Sequence, residues 1–154
     1  MNQQMTLCFD MDGTIANLYA NPNWLSQLRK YSPYPYRVAK PMCDMRALAR
    51  RLNNLQKMGY RIAIISWLSK ESNEAYDLAV TATKLAWLAK HLGSVQFDEI
   101  HIVPYGTPKY TLIEGRAILF DDEFQNRMDW AMAGMGVAYP PECIMSTLQE
   151  LKKI

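Results

Sequence analysis

Apolar and polar positions change period several times along the chain, and each change marks an element. Met5 to Phe9 is a short apolar run that stops abruptly at acids, as suits a buried strand opening at its C-terminal end onto a site. Asp44 can cap a helix whose Met45, Leu48, Leu52, Leu55 and Met58 keep three-to-four spacing, with Gly59 as the stop. Tyr60 to Ser66 has the continuous, β-branched apolar character of a parallel strand covered on both faces, and a long helix is predicted from about Ser72 to Leu92. Strand patterns recur at Glu99 to Val103, Arg116 to Phe120 and Gly136 to Tyr139, with helical patterns at Glu123 to Ala133 and Ile144 to Lys153. Such alternation predicts an α/β fold of Rossmann-like, three-layer type, with a mainly parallel sheet and its ligand site at the C-terminal strand ends.

One segment breaks the alternation. Ile15 to Cys43 is rich in Asn, Pro and Tyr and is read as a small cap inserted after the first strand of a domain spanning residues 1–154. It holds Arg29, Lys30, Arg37 and Lys40 and no acid, so a basic lid beside the acidic strand end is one expectation. A solvated loop whose Tyr19, Trp24, Tyr31, Tyr34 and Tyr36 pack on the sheet is the other.

Composition narrows the classes. With 154 residues and 49% hydrophobic content, one core without disulfides suffices, and no apolar stretch reaches the length of a membrane span. Cys8, Cys43 and Cys143 are too few and too widely spaced for a disulfide framework or a zinc site and are read as reduced thiols, Cys8 as a buried hydrophobe. Met1 to Gln4 lack the basic and apolar regions of a signal peptide, so a cytoplasmic location is expected. A net charge of +2 gives no basis for a stable nucleic-acid complex. His91 and His101 are not spaced as a metal pair and are assigned structural roles, while Met128, Met132 and Met135 read as core filler.

The chemistry is concentrated in acids. Asp10 and Asp12 follow the first strand, and Gly13 permits the turn that lets both face one cavity. Asp121 and Asp122 follow the strand ending at Phe120, so four carboxylates can gather in one crevice, where a hard dication such as Mg2+ relieves their repulsion. Taken singly, the first pair reads as a turn and the second as a helix cap. Ser66 closes its strand as a hydroxyl for phosphate or as a turn serine, and Lys109 is either a cation bridging phosphate and nucleophile or a surface lysine.

Asp10-Met11-Asp12-Gly13-Thr14, Ser66, Lys109 and Asp121-Asp122, in that order, resemble the four motifs of haloacid-dehalogenase-like phosphohydrolases. That resemblance implies that Asp10 is a nucleophile forming an aspartyl-phosphate and a ligand of Mg2+. It implies that Asp12 is the general acid and base and joins the metal shell through its backbone carbonyl, and that Ser66, the N–H of Trp67 and Lys109 hold the phosphoryl group. Asp121 and Asp122 would complete the metal site. The second aspartate favours phosphate over halide chemistry. Phe9 to Ala16, the helix segment Lys84 to Leu92 and the small cap are similar to 5'(3')-deoxyribonucleotidases, although Asn17 stands where that group commonly has Asp. The expected activity is therefore a phosphomonoesterase acting on a small phosphorylated substrate, a nucleotide first. A sugar phosphate, a nucleic-acid end phosphate or a non-catalytic phosphate-binding module are the alternatives.

Overall fold

The structure is a computed structural model and describes residues 4–153. Strand β1 (Thr6–Phe9) is followed by a two-residue strand β2 (Ala16–Asn17), helices α1 (Trp24–Arg29) and α2 (Tyr34–Val38), and strand β3 (Lys40–Pro41). Then come α3 (Met45–Lys57), β4 (Arg61–Trp67), α4 (Glu74–His91), β5 (Glu99–Val103), β6 (Ala117–Phe120), α5 (Phe124–Met132), β7 (Ala138–Tyr139) and α6 (Ile144–Lys152). The five long-range strands form one parallel sheet in the order β5-β4-β1-β6-β7. This is the α/β arrangement expected from the pattern.

Alternation within the central strands sorts the core. Leu7, Phe9, Ile62, Ile64, Ile118 and Phe120 point to the face covered by α3, α6 and the end of α4, while Cys8, Ala63, Ile65, Ala117 and Leu119 pack with Trp130 of α5 on the other. Both faces are therefore dry, which is why these strands read as unbroken apolar runs. The helix caps follow their chemistry: the Asp44 carboxylate accepts from the Ala47 N–H at 3.1 Å, and Asn73 accepts from the Tyr76 N–H at 2.8 Å, so α4 starts two residues later than the pattern suggested.

Residues between β1 and α3 form the two-stranded sheet β2-β3 and the short helices α1 and α2. Leu18 and Tyr36 from this segment pack on Leu68, Tyr76 and Val80, so it docks on the first half of α4. Two polar contacts fix it there: Tyr76 Oη donates to the Ser32 carbonyl at 2.8 Å and Trp87 Nε1 to the Ala39 carbonyl at 2.7 Å.

One expectation fails on α5. Met132 is 80% exposed and Met128 40% exposed, and of the three methionines only Met135 packs on the core, against the cluster around Trp130. The spacing was helical, but the side of α5 that meets the sheet is the one carrying Trp130. The histidines take structural positions, His91 against the Trp87 ring and His101 bonded to Glu99. Cys8, Cys43 and Cys143 are unpaired, and no described helix is long and apolar enough to cross a membrane.

Candidate active site

Strands β1, β4 and β6 lie side by side, so the residues following them meet at one sheet edge. There a cavity of about 410 Å³ is lined by Asp10, Asp12, Asp121 and Asp122 from below and by residues of α1 and α2 from above. One carboxylate oxygen each from Asp10, Asp121 and Asp122 lies within 4.8 Å of the other two. An all-oxygen, carboxylate-rich cluster of this spacing suits a hard dication such as Mg2+.

Asp10 is held at both oxygens. Lys109 Nζ donates to Oδ1 at 3.0 Å, and the Thr14 hydroxyl donates to Oδ2 at 2.8 Å. The same hydroxyl accepts from the Asp122 N–H at 3.1 Å, so Thr14 ties the two acidic runs together. Lys109 also donates to Asp121 Oδ2 at 2.7 Å and to the Ile65 carbonyl at 3.2 Å. Only 5% of it is exposed, which excludes the surface-lysine reading. Burial alone would lower its pKa, but Asp10 and Asp121 outweigh burial and raise it, so Lys109 carries its proton at any physiological pH.

Asp121 is fully buried and accepts from the Glu123 N–H at 2.9 Å and from Asn126 Nδ2 at 3.2 Å, while its backbone carbonyl accepts from Arg127 at 2.8 Å. The first turn of α5 thus orients the acidic pair. Glu123 occupies the N-cap without a side-chain cap bond, so Asp121-Asp122 is not a helix cap. Gly13 lies at φ +79, and a Cβ there would sit 2.8 Å from Asp122 Cγ and 2.9 Å from the Tyr19 ring. Only glycine fits, for the backbone conformation and for the space.

Asp12 stands apart from the three-acid cluster. Its Oδ2 accepts from Lys84 Nζ at 2.9 Å, and Lys84 also donates to the Ser66 hydroxyl and the Trp67 carbonyl, each at 2.7 Å. Lys84 is 1% exposed and lies 4.8 Å from the Tyr36 ring centroid. Burial raises the Asp12 pKa, Lys84 opposes that, and Asp10 adds to it, leaving a net upward shift. A carboxyl shifted upward, two residues from a carboxylate bonded at both oxygens, gives the two aspartates different environments, as acid–base chemistry needs.

Sequence reasoning therefore located Asp10, Asp12, Lys109, Asp121 and Asp122 in one cavity. Ser66 is fully buried behind Lys84, and Trp67 lines the cavity with its ring, Nε1 donating to the Thr107 carbonyl at 2.8 Å. Lys84, Thr14 and Asn126 were missed as polar partners. For Lys84 a signal existed: it falls on the buried face of α4 with Tyr76, Val80, Trp87 and Leu88, where a lysine needs a buried partner. Of the four basic residues between β1 and α3, Arg29 alone lines the cavity.

Burial, with Asp10 alongside, pushes the Asp122 carboxyl up to about 8, and burial followed by Asp10 brings Asp121 to about 6. Both values exceed the usual 3.8, so the folded metal-free protein binds these protons more tightly than the unfolded chain does. These two carboxyls therefore contribute stability that is fully present below pH 3.8 and is lost as pH rises, for Asp121 by about 6 and for Asp122 by about 8, which thermal melts between pH 4 and pH 9 will show. Because a metal ligand must be deprotonated, Mg2+ binding at pH 7 is expected to release close to one proton, read as a dependence of calorimetric heat on buffer ionisation.

The chain is an α/β fold with a parallel five-stranded sheet, and solved phosphatase structures share that fold. D,D-heptose 1,7-bisphosphate phosphatase from Burkholderia thailandensis is similar to the chain with a TM-score of 0.53 at 14% identity, over 87% of this chain and 75% of that one. The corresponding enzyme from B. bronchiseptica, complexed with magnesium and phosphate, is similar with a TM-score of 0.51 at 15% identity, over 89% and 79%. No protein-family model and no curated protein matches the sequence.

Proposed function

We propose that this chain is a magnesium-dependent phosphomonoesterase that works through an aspartyl-phosphate on Asp10. The observation that carries the reading is the convergence of Asp10, Asp121 and Asp122 within 4.8 Å, with Lys109 bonded to two of them and Asp12 facing the same cavity. Asp10, Asp121 and Asp122, with the backbone carbonyl of Asp12, would hold Mg2+, which neutralises charge on the phosphoryl oxygens. Asp10 attacks phosphorus, and the ester P–O bond breaks as Asp12 gives its proton to the leaving oxygen. Asp12 then takes a proton from water, whose oxygen displaces Asp10 and frees inorganic phosphate. Lys109 balances charge at the nucleophile. Lys84 orients Asp12 and also occupies the buried Ser66 hydroxyl, so of the two groups expected at this strand end the Trp67 N–H is the one left to hold the phosphoryl oxygens.

For the substrate we favour a small phosphorylated metabolite of sugar-phosphate type, because both similar structures are heptose bisphosphate phosphatases. A nucleotide is the second reading. It is favoured by the aromatic pair at the cavity wall, Tyr19 edge-on to Trp24 with ring centroids 4.9 Å apart, which offers a planar surface to a base. A reducing, cytoplasmic setting suits the three free thiols. The test is phosphate release from a panel of sugar phosphates, nucleoside monophosphates and 5'-phosphorylated oligonucleotides, with Mg2+ and with chelator. Magnesium-dependent turnover of one class supports the reading, and binding of these ligands without any release would make the chain a non-catalytic phosphate-binding module.

A further inference from the structure

Beyond the reacting phosphate, we propose that the cavity accepts a second anionic group on the same substrate, held between Lys70 and Arg29. This rests on the phosphomonoesterase reading and specifies its substrate as a phosphomonoester whose body carries another phosphate or a carboxylate. Four side chains form a ladder along one wall of the cavity. Lys109 Nζ, bonded to Asp10, lies 5.4 Å from the Trp67 ring; the Trp67 and Tyr105 centroids are 4.9 Å apart; and Lys70 Nζ lies 6.0 Å from the Tyr105 ring. Trp67 is pinned by its bond to the Thr107 carbonyl, so the middle of the ladder is fixed. The two rings are tilted by 58° and each has a cation near its face, Lys109 buried beside Asp10 and Lys70 exposed at the mouth.

A second segment, α1, lines the same cavity. It presents Trp24, Leu25 and Leu28, and then Arg29 at its last turn. Neither Lys70 nor Arg29 takes part in an ion pair among the described residues. Glu71 and Glu123 also line the cavity, and neither forms an ion pair with Lys70 or Arg29. Cations from two separate segments, facing one partly enclosed volume through apolar walls, concentrate anions between them. The 410 Å³ of the cavity accommodates a whole small molecule rather than a bare phosphate group. An elongated ligand with a charge at each end matches that layout.

Matched pairs test this: glucose 6-phosphate against glucose 1,6-bisphosphate, and AMP against adenosine 3',5'-bisphosphate. In the intact protein with Mg2+, kcat/KM is expected to favour the bisphosphate of at least one pair by about tenfold or more. Each of Lys70→Gln and Arg29→Gln is expected to cut that ratio about fivefold, mainly through KM, and the double variant to bring it near one. A ratio near one in the parent protein, or a ratio that survives the double variant, overturns the proposal. Affinities measured by calorimetry in Asp10→Asn separate the two readings. Tighter bisphosphate binding that depends on Lys70 and Arg29, with no turnover by the parent protein, supports the second anion site while removing the phosphatase reading. Turnover without that binding preference removes only the anion site.

Discussion

Asp10→Asn is expected to lower phosphate release by at least about 10⁴-fold while leaving the protein folded. The amide has nearly the shape of the carboxylate, and the Thr14 bond and the surrounding strand contacts survive. What is lost is the nucleophilic oxygen and one of the two carboxylates that neutralise Lys109. Three measurements check it: phosphate release, thermal stability, and intact mass after acid quench. In the parent protein the quench traps a phosphoryl adduct that the variant cannot form. Turnover at the parental rate in Asp10→Asn would remove Asp10 from the mechanism and, with it, the proposed chemistry.

Lys84→Met produces the second large effect, and it separates two consequences of one contact. Lys84 is 1% exposed and bonds Asp12, Ser66 and the Trp67 carbonyl, so its removal leaves three acceptors in a nearly dry site. Breaking a buried pair from one side costs about 3 kcal/mol, or roughly 10 °C in Tm for a chain of this size. Activity is expected to fall about 100-fold, because Asp12 is no longer aimed at the leaving oxygen. Without Lys84 the Asp12 pKa rises further, so the stability deficit is largest at high pH and narrows on acidification. Adding Asp12→Asn to Lys84→Met is expected to recover part of the lost stability but none of the activity. Equal losses at pH 5 and pH 9 would show that the ammonium contributes packing rather than charge.

The frame of the molecule was legible because its determinants are local. Asp44, Asn73 and Gly59 punctuate the long helices, and the central strands are unbroken apolar runs because both their faces are covered. The acids were legible for a related reason: an aspartate directly after a buried strand has few structural uses. Lys84 was harder to read, since it belongs to the buried periodicity of α4 and reaches the site across 72 residues of sequence. Thr14 and Asn126 act by single hydrogen bonds that leave no pattern. The segment between β1 and α3 was legible only as an interruption, because helices of six and five residues carry too little periodicity to declare themselves. On α5, the spacing of Met128 and Met132 gave the helix but not the side that meets the sheet.

Helix α4 reaches three places at once. Tyr76 holds the carbonyl of Ser32, Trp87 holds that of Ala39, and Lys84, between them, holds Asp12, the proposed acid. The roof over the cavity and Asp12 on its floor are therefore bolted to the same strut. Lifting the roof off α4 would break the Tyr76 and Trp87 bonds and leave the Lys84 bond to Asp12 in place. One helix thus carries two independent jobs, docking the roof through its aromatic side chains and holding Asp12 through its buried lysine, so the first can be loosened without the second.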